Sequence, residues 1–123
     1  MYKLIDFGNE KLPILTTAAT NVYYKQIFGE DALALQSEGS MTIAQQVEFA
    51  QKLLFVAIEQ AKAQAKKAAG EADSVRDYML AVNMDTYLEW LDEVDFGDVN
   101  NAASEVMQAY IGGSKSTSKT KKE

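Results

Sequence analysis

The segment TIAQQVEFAQKLLFVAIEQAKAQAKKAAG, residues 42–70, carries the longest helical pattern in the chain. Thr42 and Gln45 have the spacing of a capping box, in which each side chain accepts a hydrogen bond from the other residue's backbone N–H. Apolar residues then recur at intervals of four and three, the period of an α-helix: Ile43, Val47, Ala50, Leu54, Ala57 and Ala61. Because Gly70 supplies a stop, one central helix of about 40 Å is predicted to organise the fold.

The two ends of this helix differ in what they can bury. Its last turns consist of alanine, lysine and glutamine, which favour a helix but offer little apolar surface, so they are predicted to project beyond the core. The apolar stripe admits two interpretations, packing within the domain or packing against a helix of another chain. We expect Phe49, Leu53 and Val56 to form the edge that meets a partner.

Before the long helix, the sequence indicates a small β-hairpin or a pair of extended segments. Residues 2–8 (YKLIDFG) alternate in character, Gly8-Asn9 is a turn signal, and Pro13 keeps the second segment at an edge. A first helix is predicted from a cap at Thr16 or Thr17 to Gly29. A short helix is predicted near Asp31. The first helix should bury one face: Ala19, Val22, Tyr23, Gln26 and Ile27.

After Gly70 the pattern predicts further helices separated by caps. Ser74 or Asp73 caps the first, Asn83 or Asp85 the next, and Asp98 the last, which Gly112-Gly113 should end. The buried face of the middle one is Tyr87, Leu88, Leu91 and Val94. The stripe of the last one is Val99, Ala102, Ala103, Val106, Met107, Tyr110 and Ile111. The fold is therefore predicted to be mainly α, with four to five helices in residues 1–112 and a flexible basic tail at 113–123.

Charge is distributed unevenly along the chain, whose net charge is −6. Residues 1–70 are balanced, residues 71–112 carry ten acids against one arginine, and residues 113–123 carry four lysines and one acid. Such acidity argues against nucleic-acid binding, because phosphate contacts need cations. No apolar run reaches the about 20 residues needed to span a membrane and no signal peptide is visible, so we expect no membrane association. The absence of cysteine fits a reducing cytosol.

Missing residue types restrict the chemistry. The chain has no histidine and no cysteine, which excludes a Ser-His-Asp triad, a Cys-His pair and an ordinary zinc site. The acidic turn at residues 92–100 does not fit a calcium loop, because Val94, Phe96 and Ala103 fall at ligand positions. We therefore expect no catalytic residue, no metal and no cofactor.

Carboxylate pairs keep one alternative open. Asp85, Glu89 and Asp92 are spaced to share a helix face, and paired carboxylates can perform acid–base chemistry. The alternative is a metal-binding regulator or an enzyme that uses the carboxylates of residues 85–98. Saturable shifts around residues 92–98 in a calcium titration would favour it.

Trp90 and Phe96 lie at the edge of the predicted buried face, where they either close the core or anchor a partner. The acidic segment around them costs self-repulsion, which a basic partner would relieve. We expect the partner-binding surface to combine this segment with the edge of the long helix: Phe49, Leu53, Val56, Trp90, Asp92, Glu93 and Phe96.

The order of these segments resembles the tail assembly chaperones of long-tailed (siphovirus-type) bacteriophages and prophages, over about residues 1–112. The resemblance is carried by three stretches before the final helix: TTAATNVYYKQIFGEDAL at residues 16–33, AQQVEFAQKLLFVAIEQAK at 44–62 and YLEWLDEVDF at 87–96. It implies a helical protein without enzymatic activity, made late in infection in the host cytoplasm and absent from the mature virion.

The resemblance also implies partners. Proteins of this family hold the long tape measure protein soluble and help to recruit tail tube subunits, and self-association is a further expectation. A small structural protein of the virion is a second alternative, which the presence of the chain in purified particles would favour.

The tail GGSKSTSKTKKE, residues 112–123, is either a solubilising terminus or a linker. Tail assembly chaperones are often made in two lengths by ribosomal frameshifting. The codons of Lys121 and Lys122 can consist of adenines alone, so a slippery run is expected there, together with a longer minor product.

Overall fold

A computed structural model describes residues 1–32, 34 and 42–119, and for residues 109 and 111–119 it describes the backbone alone. In this part of the chain a two-stranded hairpin precedes five helices, which confirms the mainly α prediction with one long central helix. The elements are β1 Tyr2–Phe7, β2 Glu10–Leu15, α1 Thr20–Phe28, α2 Ile43–Ala68, α3 Val75–Leu80, α4 Met84–Glu93 and α5 Phe96–Lys119.

The hairpin forms as the alternation of residues 2–16 predicts. β1 and β2 are antiparallel, with Phe7 opposite Glu10 across a two-residue turn in which Gly8 has a φ of 65°. Ile5 and Ile14 point inward and are each 1% exposed. The turn lies close to α5, because a Cβ added at Gly8 would approach the Oδ2 atom of Asp98 to 2.9 Å. The hairpin therefore covers one side of the helical core.

α1 begins later than predicted, at Thr20 and not after a cap at Thr16 or Thr17. The backbone N–H of Thr17 donates to the Thr20 hydroxyl at 2.8 Å, and that of Ala19 donates to the Thr17 hydroxyl at 3.1 Å. Such local bonds compete with helical ones and hold the segment as a turn. Gln60 of α2 fixes the turn from inside the core, bonding to both threonines.

The buried face of α1 also differs from the predicted one. Val22 is 61% exposed, while the helix buries its large aromatic residues against α2. The buried residues are Thr20, Tyr23, Tyr24, Ile27 and Phe28. Aromatic side chains bury more apolar area than valine or alanine, so the orientation that buries them is favoured. The predicted end of α1 is confirmed, because Gly29 adopts a φ of 72° there. Asp31 accepts a bond from the N–H of Ala34, but most of the short helix predicted near it lies outside the described residues.

α2 is the central element of the structure. Its predicted capping box is present between Thr42 and Gln45, and all ten residues from Lys52 to Ala61 are buried. A helix that is buried on every side requires neighbours all around it, and these are β2, α1, α3 and α5. The predicted stripe fails at its start, because Ile43 is 80% exposed and Val47 is 39% exposed. The lysine-rich last turns are exposed, as predicted.

Phe55, at the middle of α2, is the hub of an aromatic cluster. Its ring centroid lies 5.2 Å from that of Tyr87, 5.5 Å from that of Trp90 and 6.4 Å from that of Phe28. These contacts join α1 and α4 to the central helix. Aromatic pairs at such distances stabilise a core beyond the area they bury.

The later helices follow the predicted caps with one exception. Ser74 caps α3, and Asn83 forms a capping box with Thr86 at the start of α4. α5 is capped by Asp95, whose Oδ2 atom accepts from the N–H of Asp98 at 3.1 Å, so the cap predicted at Asp98 is wrong. Asp98 occupies the first turn instead, where an acid interacts favourably with the helix dipole.

α5 keeps the predicted apolar register but is longer than predicted. Val99, Ala102, Ala103 and Val106 are buried, and Met107 and Tyr110 pack at the edge of the core. The backbone remains helical past Gly112 and Gly113 to Lys119. A glycine inside a helix costs only about 1 kcal/mol, so a pair of them disfavours a helix without ending it. Residues 120–123 lie outside the described residues, and the flexibility of the tail stays a prediction.

We expect Phe55→Ala to lower the free energy of unfolding by about 3–5 kcal/mol, because it removes the ring that α1 and α4 share. Urea denaturation of the two proteins measures this difference. Val22→Ala is the matched control, since an exposed side chain should change stability by no more than about 0.5 kcal/mol. Similar losses in both variants would contradict the central role of Phe55.

A second prediction concerns alkaline pH. Burial raises the pKa of Tyr87 to about 12 and also raises that of Tyr24. An unfolded tyrosine loses its proton near pH 10, so between about pH 10 and 12 the unfolded chain binds fewer protons than the folded one. Stability should therefore be fully present below about pH 10 and decline above it.

Urea midpoints between pH 8 and 11.5 measure this decline. Tyr87→Phe keeps the ring but cannot ionise, so its decline should be shallower than that of the unmodified chain. Parallel declines in the two proteins would show that Tyr87 does not contribute.

Candidate functional site

The seven residues expected to form one partner-binding surface are separated in the structure. Phe49, Leu53 and Val56 are 3%, 0% and 0% exposed. These three residues form no exposed edge of α2, although Phe49 borders the groove described below, and their part in binding a partner stays a prediction. The middle of α2 is surrounded by its own domain and has no free edge.

Trp90 lies between the core and the surface. Its ring stacks on that of Phe7 at 6.4 Å with an interplanar angle of 25°, and it also contacts the rings of Phe55 and Tyr87. Trp90 thereby closes the core between the hairpin and α4, which is the first of the two interpretations given above. Phe96 is 69% exposed, and Asp92 and Glu93 are exposed at the end of α4.

An apolar groove runs between the first turns of α2 and the middle of α5. It has a volume of about 560 Å³. Its lining residues are Ile43, Gln46, Val47, Phe49, Ala50, Asn100, Ala103, Ser104 and Met107. The Nε2 atom of Gln51 donates to the Oδ1 atom of Asn100 at 3.0 Å and bridges the two helices. The groove is therefore held between two elements that the core fixes in place.

Helical spacing explains how the groove arises. Ile43, Val47 and Ala50 recur at intervals of four and three along α2. The same helical spacing on α5 places three residues on one face: Asn100, Ala103 and Met107. Phe96 precedes Asn100 by one turn on that face. The stripe of α2 was expected to pack either within the domain or against another chain, and Ala103 and Met107 were expected to be core. Nothing in the sequence indicates that the two helices leave the space between them open.

α4 presents a second exposed surface, which combines acids with apolar side chains. Asp85, Glu89, Asp92 and Glu93 are all exposed, and none of them forms an ion pair with another described residue. Met84 and Leu88, one turn apart on the same helix, are 38% and 50% exposed. Leu88 was expected in the core, but Trp90 takes the place at the core edge beside Tyr87.

One lysine is buried with its charge satisfied. Lys52 is 5% exposed, and its Nζ atom lies 3.2 Å from Glu30 and 3.1 Å from Glu48. The same atom lies 5.1 Å from the centre of the Phe28 ring. These contacts neutralise the cation inside the domain and tie the segment after α1 to α2.

Glu59 is a buried carboxylate beside a second cavity, of about 460 Å³. Its two oxygens accept from the Tyr78 hydroxyl at 3.0 Å and from the Lys62 Nζ atom at 3.3 Å. Burial, reinforced by the charge of Glu59, raises the pKa of Tyr78 to about 12. Both oxygens of Glu59 are thus occupied within the domain, and Tyr78 stays protonated at neutral pH.

The arrangement of acids bears on the metal hypothesis. Among residues 1–32, 34 and 42–119, no group of three or more aspartate or glutamate side chains is placed to hold a metal ion. Asp85, Glu89 and Asp92 are exposed on α4. No helix in the described part of the chain is long and apolar enough to cross a membrane. The groove and the exposed side of α4 are two surfaces of the described residues that are accessible to a partner.

Compared with models of protein families, with curated proteins and with solved structures, the chain shows no match.

Proposed function

We propose that this chain is a tail assembly chaperone of a long-tailed bacteriophage or prophage. In this role it binds the tape measure protein, holds it soluble and helps to recruit tail tube subunits while the tail is built. It works without catalysis or a cofactor in the host cytoplasm and is absent from the mature virion. The proposal starts from the resemblance of the three sequence stretches at residues 16–33, 44–62 and 87–96.

The observation that carries the proposal is the apolar groove between α2 and α5. A long helical protein presents apolar residues at intervals of three and four, and these need cover before the protein is assembled. A groove between two helices accepts such a stripe as an amphipathic helix, with anchors spaced along its length. The α5 residues that line the groove, from Asn100 to Met107, span about two helical turns.

The chemistry of the groove suits a reversible complex. Its apolar side chains include Ile43 and Val47, which are exposed, and burying an aliphatic side chain contributes about 1.5–3 kcal/mol. The cost of association offsets much of this contribution, so a groove with a few such anchors gives a weak and reversible complex. Such a complex keeps a partner soluble and still releases it when tail tube subunits compete for its surface.

The test is co-expression of the chain with the tape measure protein encoded in the same genome. Ile43→Gln combined with Val47→Gln makes the groove polar without changing charge or touching the core. We expect the unmodified chain to keep the tape measure protein in the soluble fraction and the double variant to bind it at least about tenfold more weakly, as the loss of two apolar contacts implies.

Val22→Gln is the matched control, because it changes an exposed apolar residue that does not line the groove. Circular dichroism melts of all variants establish that they are folded. Equal solubilisation by the groove variant and the control would contradict binding in the groove. Recovery of the chain from purified particles would instead favour a structural protein of the virion.

A further inference from the structure

The helix α4 has three different faces. One is turned to the core and contains Tyr87, Trp90, Leu91 and Val94. The second is apolar and exposed and contains Met84 and Leu88. The third is acidic and exposed and contains Asp85, Glu89, Asp92 and Glu93. A surface helix of a globular protein needs only the first face and a mixed polar remainder, so the exposed apolar pair beside an acidic row calls for an explanation.

The acidic face works against the stability of the helix that bears it. Asp85 and Glu89, and likewise Glu89 and Glu93, lie four residues apart, where like charges repel. Asp92 and Glu93 stand in the last turn, which contains no basic residue, and negative charge there opposes the helix dipole. Residues 77–112 contain neither lysine nor arginine, so local sequence offers no cation to relieve this repulsion.

The four carboxylates of α4 limit the classes of molecule that can bind its exposed side. Nucleic acids and anionic lipid surfaces would be repelled by the same four carboxylates. An uncharged apolar helix could cover Met84 and Leu88 but would leave the carboxylates without counter-charges. A partner that satisfies both faces carries apolar side chains next to a row of lysines or arginines.

We propose that the exposed side of α4 is a docking surface for a basic amphipathic helix of a protein partner. The apolar stripe of that helix packs on Met84 and Leu88, and its cations pair with Asp85, Glu89 and Asp92. Methionine adapts its shape to different side chains, which suits such a contact. The surface shares no residue with the groove between α2 and α5, so the two can be occupied together. This proposal does not depend on the phage function.

The chain's own tail is a weaker candidate for this surface. Residues 113–123 are basic but contain no apolar side chain, so they cannot cover Met84 and Leu88. An occupant that used charge alone would leave the apolar half of the surface exposed. An experiment must therefore distinguish a partner that is bound by charge alone from one that is bound by both charge and apolar contact.

The experiment titrates the full-length, isotope-labelled chain with a peptide of about eighteen residues that has leucine and lysine at helical spacing. A glycine/serine/lysine peptide of equal charge is the comparison. We expect NMR shift changes centred on residues 84–93 and at least about tenfold weaker binding of the comparison peptide. Shift changes centred on the groove, or equal binding of the two peptides, would overturn the proposal.

Two variants sharpen the test. Leu88→Gln and Glu89→Lys should each weaken binding of the leucine/lysine peptide at least about fivefold, whereas Glu10→Lys, a charge reversal in the hairpin, should leave it unchanged. A higher salt concentration should weaken binding as well. If Glu10→Lys weakened binding as much as Glu89→Lys, the peptide would be responding to net charge and the docking surface would be ruled out.

A second readout needs no peptide. Neutralising the last turn with Asp92→Asn and Glu93→Gln should raise the Tm of the free chain, because it removes repulsion and an unfavourable dipole interaction. The same double variant should bind the leucine/lysine peptide more weakly. A lower Tm would show that these carboxylates support the fold, and the proposal would fail.

Discussion

The complete burial of the middle of α2 is the constraint on which the rest of the structure depends. Ten consecutive residues, from Lys52 to Ala61, are buried, so every side of one helix must be covered. Three of the ten are polar, and each has partners: Lys52 pairs with two glutamates, Glu59 with Tyr78 and Lys62, and Gln60 with two threonines. In the described residues no buried polar side-chain atom lacks a partner. These polar contacts place α1, α3 and the connecting segments around the helix, while the aromatic cluster at Phe55 supplies apolar contact.

The middle of α2 is buried, so the exposed surfaces available for other contacts lie at its ends and on the outer side of α4. The first turns of α2 and the first half of α5 leave the apolar groove between them. α4 touches the core through Tyr87 and Trp90 on one side only, which leaves its apolar and acidic faces to solvent. The two surfaces therefore have different chemistry, one uncharged and concave, the other acidic and convex. In the two proposals made above, each surface accepts a different kind of partner helix.

The sequence predicted those features that depend on local chemistry. Short-range hydrogen bonding and backbone freedom explain these features. They are the caps at Thr42, Ser74 and Asn83, the glycines that follow α1 and α2, and the hairpin turn at Gly8.

Features that depend on distant residues were predicted less well. α1 begins later than predicted because Gln60, forty residues away from Thr20, bonds to the threonine turn that precedes the helix. Phe49, Leu53 and Val56 were expected at a free edge because periodicity reports the apolar residues of a helix but not the number of neighbours that cover it. The groove could not be predicted at all, since the space between two helices is set by packing.

The contacts of α5 also determine when the domain can form during synthesis. The N–H of Asp6 donates to Glu105 at 3.3 Å, and the Tyr110 hydroxyl donates to Asn21 at 2.6 Å. The first pair is separated by 99 positions in the sequence and the second by 89. A nascent chain leaves the ribosome from its N-terminus, and these pairings wait until α5 has emerged. One wall of the groove is that same helix. The groove thus forms only after α5 has left the ribosome, and a nascent chain that does not yet include α5 has no groove to offer a partner.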